Sequence, residues 1–457
     1  MTISTKKRIW GWWFFDWASQ PVNTLLLTFI FGPYFAVVAQ GYYLGTGLDD
    51  KAAAAAAQSY WAFGLTIASL AVAVLAPILG AMADKSGRRL IWVWLFSALY
   101  VGSAWALWYV APGGEIGVLR WGVIAFGIAF LSMEMATIFT NALMPTLVED
   151  GAMGELSGNG FAFGYLGGLI ALFVMLLFVA EGGDSGTTLI GMEPIFGLDP
   201  EAREGTRAVG PFSAIWYVVF MIPFFLWVKE PKTGISASIN LGAVFQSIVD
   251  FVVSLRFRKS FAAYLGSSLL YRDALNGLYA FGAIYATLVL GWQSTQLGIF
   301  GIVGAATAVF TSWWAGRRDS RSGPKPVIVW SILVLIVVCS IVVGMDRDQI
   351  WGIPLDSASS TPDIIFFVCG ALIGGAGGPL QSASRTMLLR HSTPETATEA
   401  FGFFAMSGKV ASFITPLLVG LMTFFSGSAR VGLSPVILLF VLALLLLLWV
   451  NPKGERA

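Results

Sequence analysis

Gly80–Arg89 reads GAMADKSGRR, and Ala315–Lys325 reads AGRRDSRSGPK. Each stretch lies between two long apolar runs, in a connection short enough to be a tight turn at a membrane face. The residue types suit that position. Gly80 lets two helices pack closely, Asp84 can sit against the positive end of a neighbouring helix, and Gly87 permits a left-handed turn. Arg88 and Arg89 are expected to hold the turn among lipid headgroups on the positively charged side. The second copy keeps Asp319 and Gly323, but it is one residue longer between acid and glycine, and Pro324 follows. One motif in each half of the chain predicts two repeated bundles facing each other across a central path.

Composition sets the class around these turns. Of 457 residues, 57% are hydrophobic and 12% charged, with 18 Trp and 35 Phe, and the mean hydropathy is +0.77. No soluble chain of this length hides so much apolar surface. A net charge of +1 argues against a nucleic-acid partner. The two cysteines, Cys339 and Cys369, lie inside apolar runs and read as inert helix residues. The opening MTISTKKRIWGWWFFDW has basic residues but no small-residue cleavage site, so it reads as a retained first helix.

Twelve runs reach the roughly 20 apolar residues that a spanning helix needs. They lie near 12–39, 58–83, 90–111, 119–145, 157–180, 211–228, 261–291, 294–315, 326–344, 362–388, 399–425 and 432–450. The expected organisation is an N-terminal six-helix bundle over 1–229, a linker over 230–260 and a C-terminal six-helix bundle over 261–457. Nineteen Lys or Arg residues fall on the side of the termini and six on the other. That bias predicts cytoplasmic termini, in a cell (inner) membrane. Residues 181–210 are acidic and rich in Gly and Pro, and should form an irregular outer loop. Within the linker, Ile239, Leu241, Val244, Phe245, Ile248, Val249, Phe251, Val252 and Leu255 recur at helical spacing before Arg256, Arg258 and Lys259. This predicts an amphipathic helix on the cytoplasmic leaflet.

Ionisable residues inside a membrane are expensive, so each needs an account. Glu134, Arg272, Asp273 and Lys409 fall near mid-depth, and Asp16 lies in the first run nearer the cytoplasm. The third, sixth, ninth and twelfth runs carry no interior charge, as expected of helices that face lipid. Lys409 or Arg272 could receive a substrate carboxylate, and Glu134 or Asp273 an amino group or a coupling proton. Alternatively, the four neutralise one another in fixed ion pairs between helices. Adjacent residues on a helix point ~100° apart, so Arg272 and Asp273 cannot both face one partner squarely. Gln20, Asn23 and Thr24 beside Pro21 suggest a kinked first helix; Asn141, Asn276, and Gln381 with Ser382, Ser384 and Arg385 are further polar candidates. Each lone amide reads first as an interhelical hydrogen bond and only second as a substrate contact. Gly160, Gly164 and Gly168, and Gly370, Gly374 and Gly378, mark faces of close helix packing. His391, the only histidine, sits at a helix end without metal-binding companions and reads as surface. No catalytic, metal-binding or cofactor-binding constellation emerges.

Several stretches carry a family resemblance. The paired turns resemble the loop signature of the major facilitator superfamily, between its second and third and its eighth and ninth helices. WWFFDWASQPVNTLLLTFIFGPYFA in the first run, FTNALMP, SGNGFAFGYLGG, LYRDALNGL and GGPLQSASRTMLLRHSTPETATEAFGFFAMSGK resemble that superfamily's vacuole-effluxer-like branch. Arg272 stands where Asn is more usual there, and Ala383 where Ser or Thr is. The resemblance implies an all-α membrane protein of twelve transmembrane helices in two pseudo-symmetric six-helix bundles, and a transporter with no enzymatic activity. Eukaryotic members are autophagy-linked vacuolar amino-acid exporters. The expectation is a monomeric secondary transporter in the lipid bilayer. It would move a small polar metabolite, an amino acid among the candidates, by proton-coupled alternating access. The alternative is an exporter of hydrophobic drugs or lipids, which would use the many Trp and Phe residues and treat the buried charges as structural.

Overall fold

The computed structural model describes residues 3–182, 186–230, 241–290, 292, 294–356, 359–426 and 428–455. The apolar runs become helices because lipid offers no partner to a backbone N–H or C=O, so each must be satisfied within its own segment. In chain order the first half contains α1 (Thr5–Ser19), α2 (Phe31–Gly45), α3 (Asp50–Ser86), α4 (Arg89–Ala106), α5 (Ile116–Asn141), α6 (Met153–Val174), α7 (Glu204–Arg207) and α8 (Val209–Trp227). A linker helix, α9 (Leu241–Ser254), follows. The second half contains α10 (Lys259–Leu290), α11 (Ser294–Ser322), α12 (Pro324–Val343), α13 (Thr361–Arg390), α14 (Ala397–Val410), α15 (Ile414–Ser426), α16 (Ala429–Gly432) and α17 (Ser434–Leu447). The strands β1 (Gln349–Ile350) and β2 (Ile353–Pro354) form a small antiparallel hairpin.

Among the described residues, ten helical stretches are long and apolar enough to cross a membrane. The polar seventh run is α10, a continuous helix of 32 residues. The eleventh is divided between α14 and α15. Every one of the twelve runs is therefore helical, in a multi-pass membrane architecture. α4, α8, α12 and α17, the helices without interior charge, expose apolar residues at helical spacing: Ile91, Trp94, Leu95 and Leu99; Ile215, Val218, Val219 and Ile222; Trp330, Leu333 and Val337; Leu438, Leu442 and Leu445. These are the stripes a lipid-facing helix presents.

By packing, the chain forms two compact units, one of residues 1–75, 88–143 and 163–234, the other of residues 76–87, 144–162 and 235–457. The ends of α3 and α6 thus belong with the second half of the sequence.

In the first unit, α1 passes Pro21 into a π-helical segment, Val22–Phe29, before α2. Proline has no N–H to donate, and the widened turn that follows is the form the predicted kink takes. Trp12 Nε1 donates to the Thr140 carbonyl at 2.9 Å, and Ser97 and Tyr217 share a hydrogen bond of 2.8 Å. Gly164 packs against the backbone of Asp16 with room for a Cβ only if the neighbour gives by a few tenths of an ångström, and a Cβ at Gly168 would clash with the side chain of Gln20. The connection between α6 and α8 is pinned by the buried Glu181, which accepts from Arg203 Nε at 3.0 Å and Thr206 Oγ1 at 2.5 Å.

In the second unit, α11 and α13 approach backbone to backbone at Gly304 and Gly374, and Thr307 Oγ1 bridges to the Ala371 carbonyl at 2.8 Å. At the end bearing the hairpin, Arg347 pairs with Asp363 at 2.7 Å and Arg430 with Asp346 at 2.8 Å. The amphipathic linker helix is present as α9. Its Phe251 is buried and stacks face to face on Phe403 of α14 with centroids 4.0 Å apart, while Val249, Val252 and Val253 are exposed. Ile239 lies outside the described residues.

Candidate functional site

The first motif builds a contact between α3 and the start of α14, both in the second unit. Asp84 Oδ1 accepts from Thr398 Oγ1 at 2.6 Å, and Oδ2 accepts from the Glu399 backbone N–H at 2.8 Å. The first N–H groups of a helix have no intrahelical partner and carry its positive dipole end, so an aspartate there supplies both an acceptor and a charge. Two glycines permit the approach: a Cβ on Gly80 would meet the Thr398 carbonyl oxygen, and one on Gly402 the Ala76 carbonyl oxygen. Gly87 closes the turn with φ 61°. Arg88 is exposed, whereas Arg89 is buried, so Arg88 alone has the exposure the headgroup reading requires.

The second motif does the same job with different atoms. α11 runs on through Ser322, so Asp319 lies on a helix rather than in the expected turn, which is confined to Gly323 with φ 84°. The extra residue makes the difference. Ser320 Oγ accepts the Glu155 N–H of α6 at 2.7 Å, taking the capping role that Asp84 holds in the first copy. The carboxylate of Asp319 instead accepts from Thr386 Oγ1 of α13 at 2.5 Å. Gly158 and Gly316 bring α6 and α11 into backbone contact. Each motif therefore holds the first turn of a helix by polar contacts.

The mid-depth candidates divide between the units. In the first, Asp16 and Asn141 are buried, Glu134 half-buried and Asn23 exposed. In the second, Arg272 and Asp273 resolve their 100° divergence by engaging the two pieces of one broken span. Arg272 donates to the Phe404 carbonyl of α14 at 2.7 Å and lies over the Phe404 ring at 4.0 Å. Asp273 Oδ2 accepts from Thr415 N at 2.8 Å and Thr415 Oγ1 at 2.6 Å, at the start of α15. Arg385 is buried, with its guanidinium 4.1 Å from the Phe161 ring centroid. Gln381 donates to the Gly377 carbonyl at 3.3 Å. Asn276 is exposed, and the side chain of Lys409 lies outside the described residues. Thr398, Glu399, Ser320, Thr386 and Thr415 complete these contacts and were not among the residues the sequence singled out.

His391 corrects an expectation: it is fully buried, not at the surface. Its ring is stacked with those of Phe261 and Tyr264. Nδ1 donates to the Met387 carbonyl at 3.0 Å. Nε2 accepts from Ser260 Oγ at 2.9 Å, and Ser260 Oγ in turn accepts the Asn451 N–H at 2.7 Å. This chain fixes a neutral imidazole. Burial holds its pKa below the ordinary histidine range; nearby Arg258 and Arg390 act in the same direction, and the Met387 carbonyl and Glu455 oppose them. The unfolded chain thus binds a proton more readily, so the contribution to stability is full above pH about 6.5 and is lost as pH falls through the folded pKa. The fall in melting temperature between pH 7.5 and 5 is expected to be larger in the parent than in His391→Gln. Equal falls would show that the imidazole is not the titrating group.

The family described as "Vacuole effluxer Atg22 like" matches residues 4–457. The chain belongs to this Atg22-like family. The uncharacterized MFS-type transporter YxiO of Bacillus subtilis is 23% identical over 452 residues, covering 96% of this chain and 94% of that protein. Autophagy-related protein 22 of Cryptococcus neoformans is 23% identical over 295 residues, covering 63% of this chain and 48% of the fungal one. Among solved structures, the human organic anion transporter MFSD10 (TETRAN) superposes with a TM-score of 0.68 at 14% identity, over 97% of this chain and 99% of that one. At that identity the likeness establishes the fold alone, a multi-pass helical fold shared with major facilitator transporters. These Atg22-like and major facilitator relatives are transporters, not enzymes.

Proposed function

We propose that this Atg22-like protein is a secondary active transporter that moves a small zwitterionic or anionic metabolite by proton-coupled alternating access, with amino acids the first class to test. In this reading the motif-bearing end faces the cytoplasm, as the Lys and Arg bias requires, and the membrane is a cell membrane. The observation that carries the reading is the pair of motif contacts. Asp84 and Ser320 hold helix starts through a few hydrogen bonds beside glycine-lined backbone contacts. A rigid structural protein has no need of polar latches where apolar packing would serve.

One observation favours the second reading, an exporter of hydrophobic compounds or lipids. Arg272 and Asp273 are both engaged by the chain's own helices, as structural charges would be. Uptake of labelled amino acids into proteoliposomes, with and without an imposed pH gradient, separates the two. Gradient-dependent amino-acid flux that falls at least tenfold in Asp273→Asn supports the first. Flux of lipophilic cations alone, indifferent to that substitution, supports the second.

A further inference from the structure

Glu399 is 8% exposed, and its Oε1 is buried with no hydrogen-bond partner. Its own backbone N–H is held by Asp84. The charged groups facing its carboxyl are Asp84 and Lys85 from α3 and Asp250 from α9. An ionised carboxylate with a buried, unsolvated oxygen is far costlier than a neutral acid in the same place. Lys85 and the start of α14 favour the ion, but two carboxylates oppose it, and neither favourable group supplies Oε1 with a donor. The closed contact is therefore one that a neutral Glu399 suits and an ionised one does not.

We infer that Glu399 is the proton-sensitive element of the Asp84 contact: its carboxyl is neutral while α3 and α14 are joined, and its ionisation separates them. On ionisation the O–H bond breaks heterolytically, the proton passes to water at the motif-bearing end, and no other covalent bond changes. The new negative charge then repels Asp84, which must release Thr398 and the Glu399 N–H together, because one carboxylate holds both. Asp250 sets the threshold. It stands on α9, whose next residue, Phe251, stacks on Phe403 one turn along α14, so the linker helix moves with the element it tunes. The inference rests on the gated-transport reading and gives that reading a residue and a direction.

Pulsed electron–electron distances between spin labels at Ser86 and Pro394 test it across pH 5.5 to 8.5 in the reconstituted full-length protein. In the parent, the separated population should rise at least tenfold as pH increases. Glu399→Gln, which mimics the neutral acid, should stay joined throughout. Asp250→Asn should move the parent's midpoint to lower pH, because removing a neighbouring negative charge eases ionisation; a purely packing role for Glu399 predicts no such movement. A parent that does not respond to pH, or a Glu399→Gln profile that follows the parent's, overturns the inference. The distances are read without substrate, so failure to find any transported compound would count against the function and leave this result standing.

Discussion

Replacing Asp84 with alanine is expected to lower the ratio of joined to separated α3–α14 contacts by about two orders of magnitude. The carboxylate makes two good hydrogen bonds, to Thr398 Oγ1 at 2.6 Å and the Glu399 N–H at 2.8 Å. Bonds to a charged group contribute roughly 1.5 kcal/mol or more each, so their joint loss is about 3 kcal/mol. Each 1.4 kcal/mol is a factor of ten. Asp84→Asn keeps one carbonyl acceptor and loses the charge, so a fall of about tenfold is expected from the same arithmetic. Thr398→Ala, which removes the hydroxyl and leaves the backbone N–H, should resemble it. The ordering Asp84→Ala, then Asp84→Asn and Thr398→Ala, then parent is the diagnostic feature, read from label distances or from the rate of modification of a cysteine placed at the contact. If Asp84→Ala leaves the populations unchanged, the contact is incidental and the gating proposal loses its main support. The expected consequence for flux is a loss rather than a gain, because a transporter that cannot rejoin this end completes no cycle.

Hydropathy made the spans legible because lipid enforces one solution: every apolar run of sufficient length had to be a helix. The stretch around Gly80–Arg89 was legible for a similar reason, since glycine, acid, glycine and arginine at a membrane face have few uses. Partners were not. Asp84 and Thr398 stand 314 residues apart, and nothing local to either selects the other, although TPETATEA, which leads into α14, has the hydroxyls and acids of a helix start. The break between α14 and α15 had a visible signal that the apolar run concealed. Pro416 has no N–H to give residue 412, so the helix reads more naturally as restarting at Ile414, and Asp273 then serves that new start. Polar runs misled in the opposite direction. RRDSRS reads as a loop, yet α11 carries it in helical form as far as Ser322. His391 looked solvent-facing because its burial comes from residues on other elements: Phe261 and Tyr264 of α10 and the Asn451 N–H acting through Ser260.

Gly374→Ala should be among the most damaging single-methyl changes in the second unit, and Gly375→Ala, one residue along, among the mildest. The contrast isolates backbone contact from helix propensity, since both glycines lie inside α13 and alanine favours a helix by roughly 0.5–1 kcal/mol over glycine at either. At Gly375 an added Cβ would rest 3.4 Å from Thr311 Cγ2, ordinary van der Waals contact. At Gly374 it would fall within bonding range of the Gly304 carbonyl oxygen, with the Gly304 carbon and Cα close behind. The obstacle is backbone, so no rotamer change relieves it; α11 and α13 must separate. Overpacking in a core costs typically 1–3 kcal/mol, occasionally more, and this case lies at or above the top of that range because the Thr307 bridge to Ala371 would be strained as well. A fall of about 5–10 °C in the melting temperature of detergent-solubilised protein is expected for Gly374→Ala at roughly 2–4 °C per kcal/mol. Gly375→Ala should stay within about 2 °C of the parent or rise, on the same conversion. Equal effects at the two positions would mean that α11 and α13 do not meet backbone to backbone at Gly304, and the packing that supports the second motif would have to be redrawn.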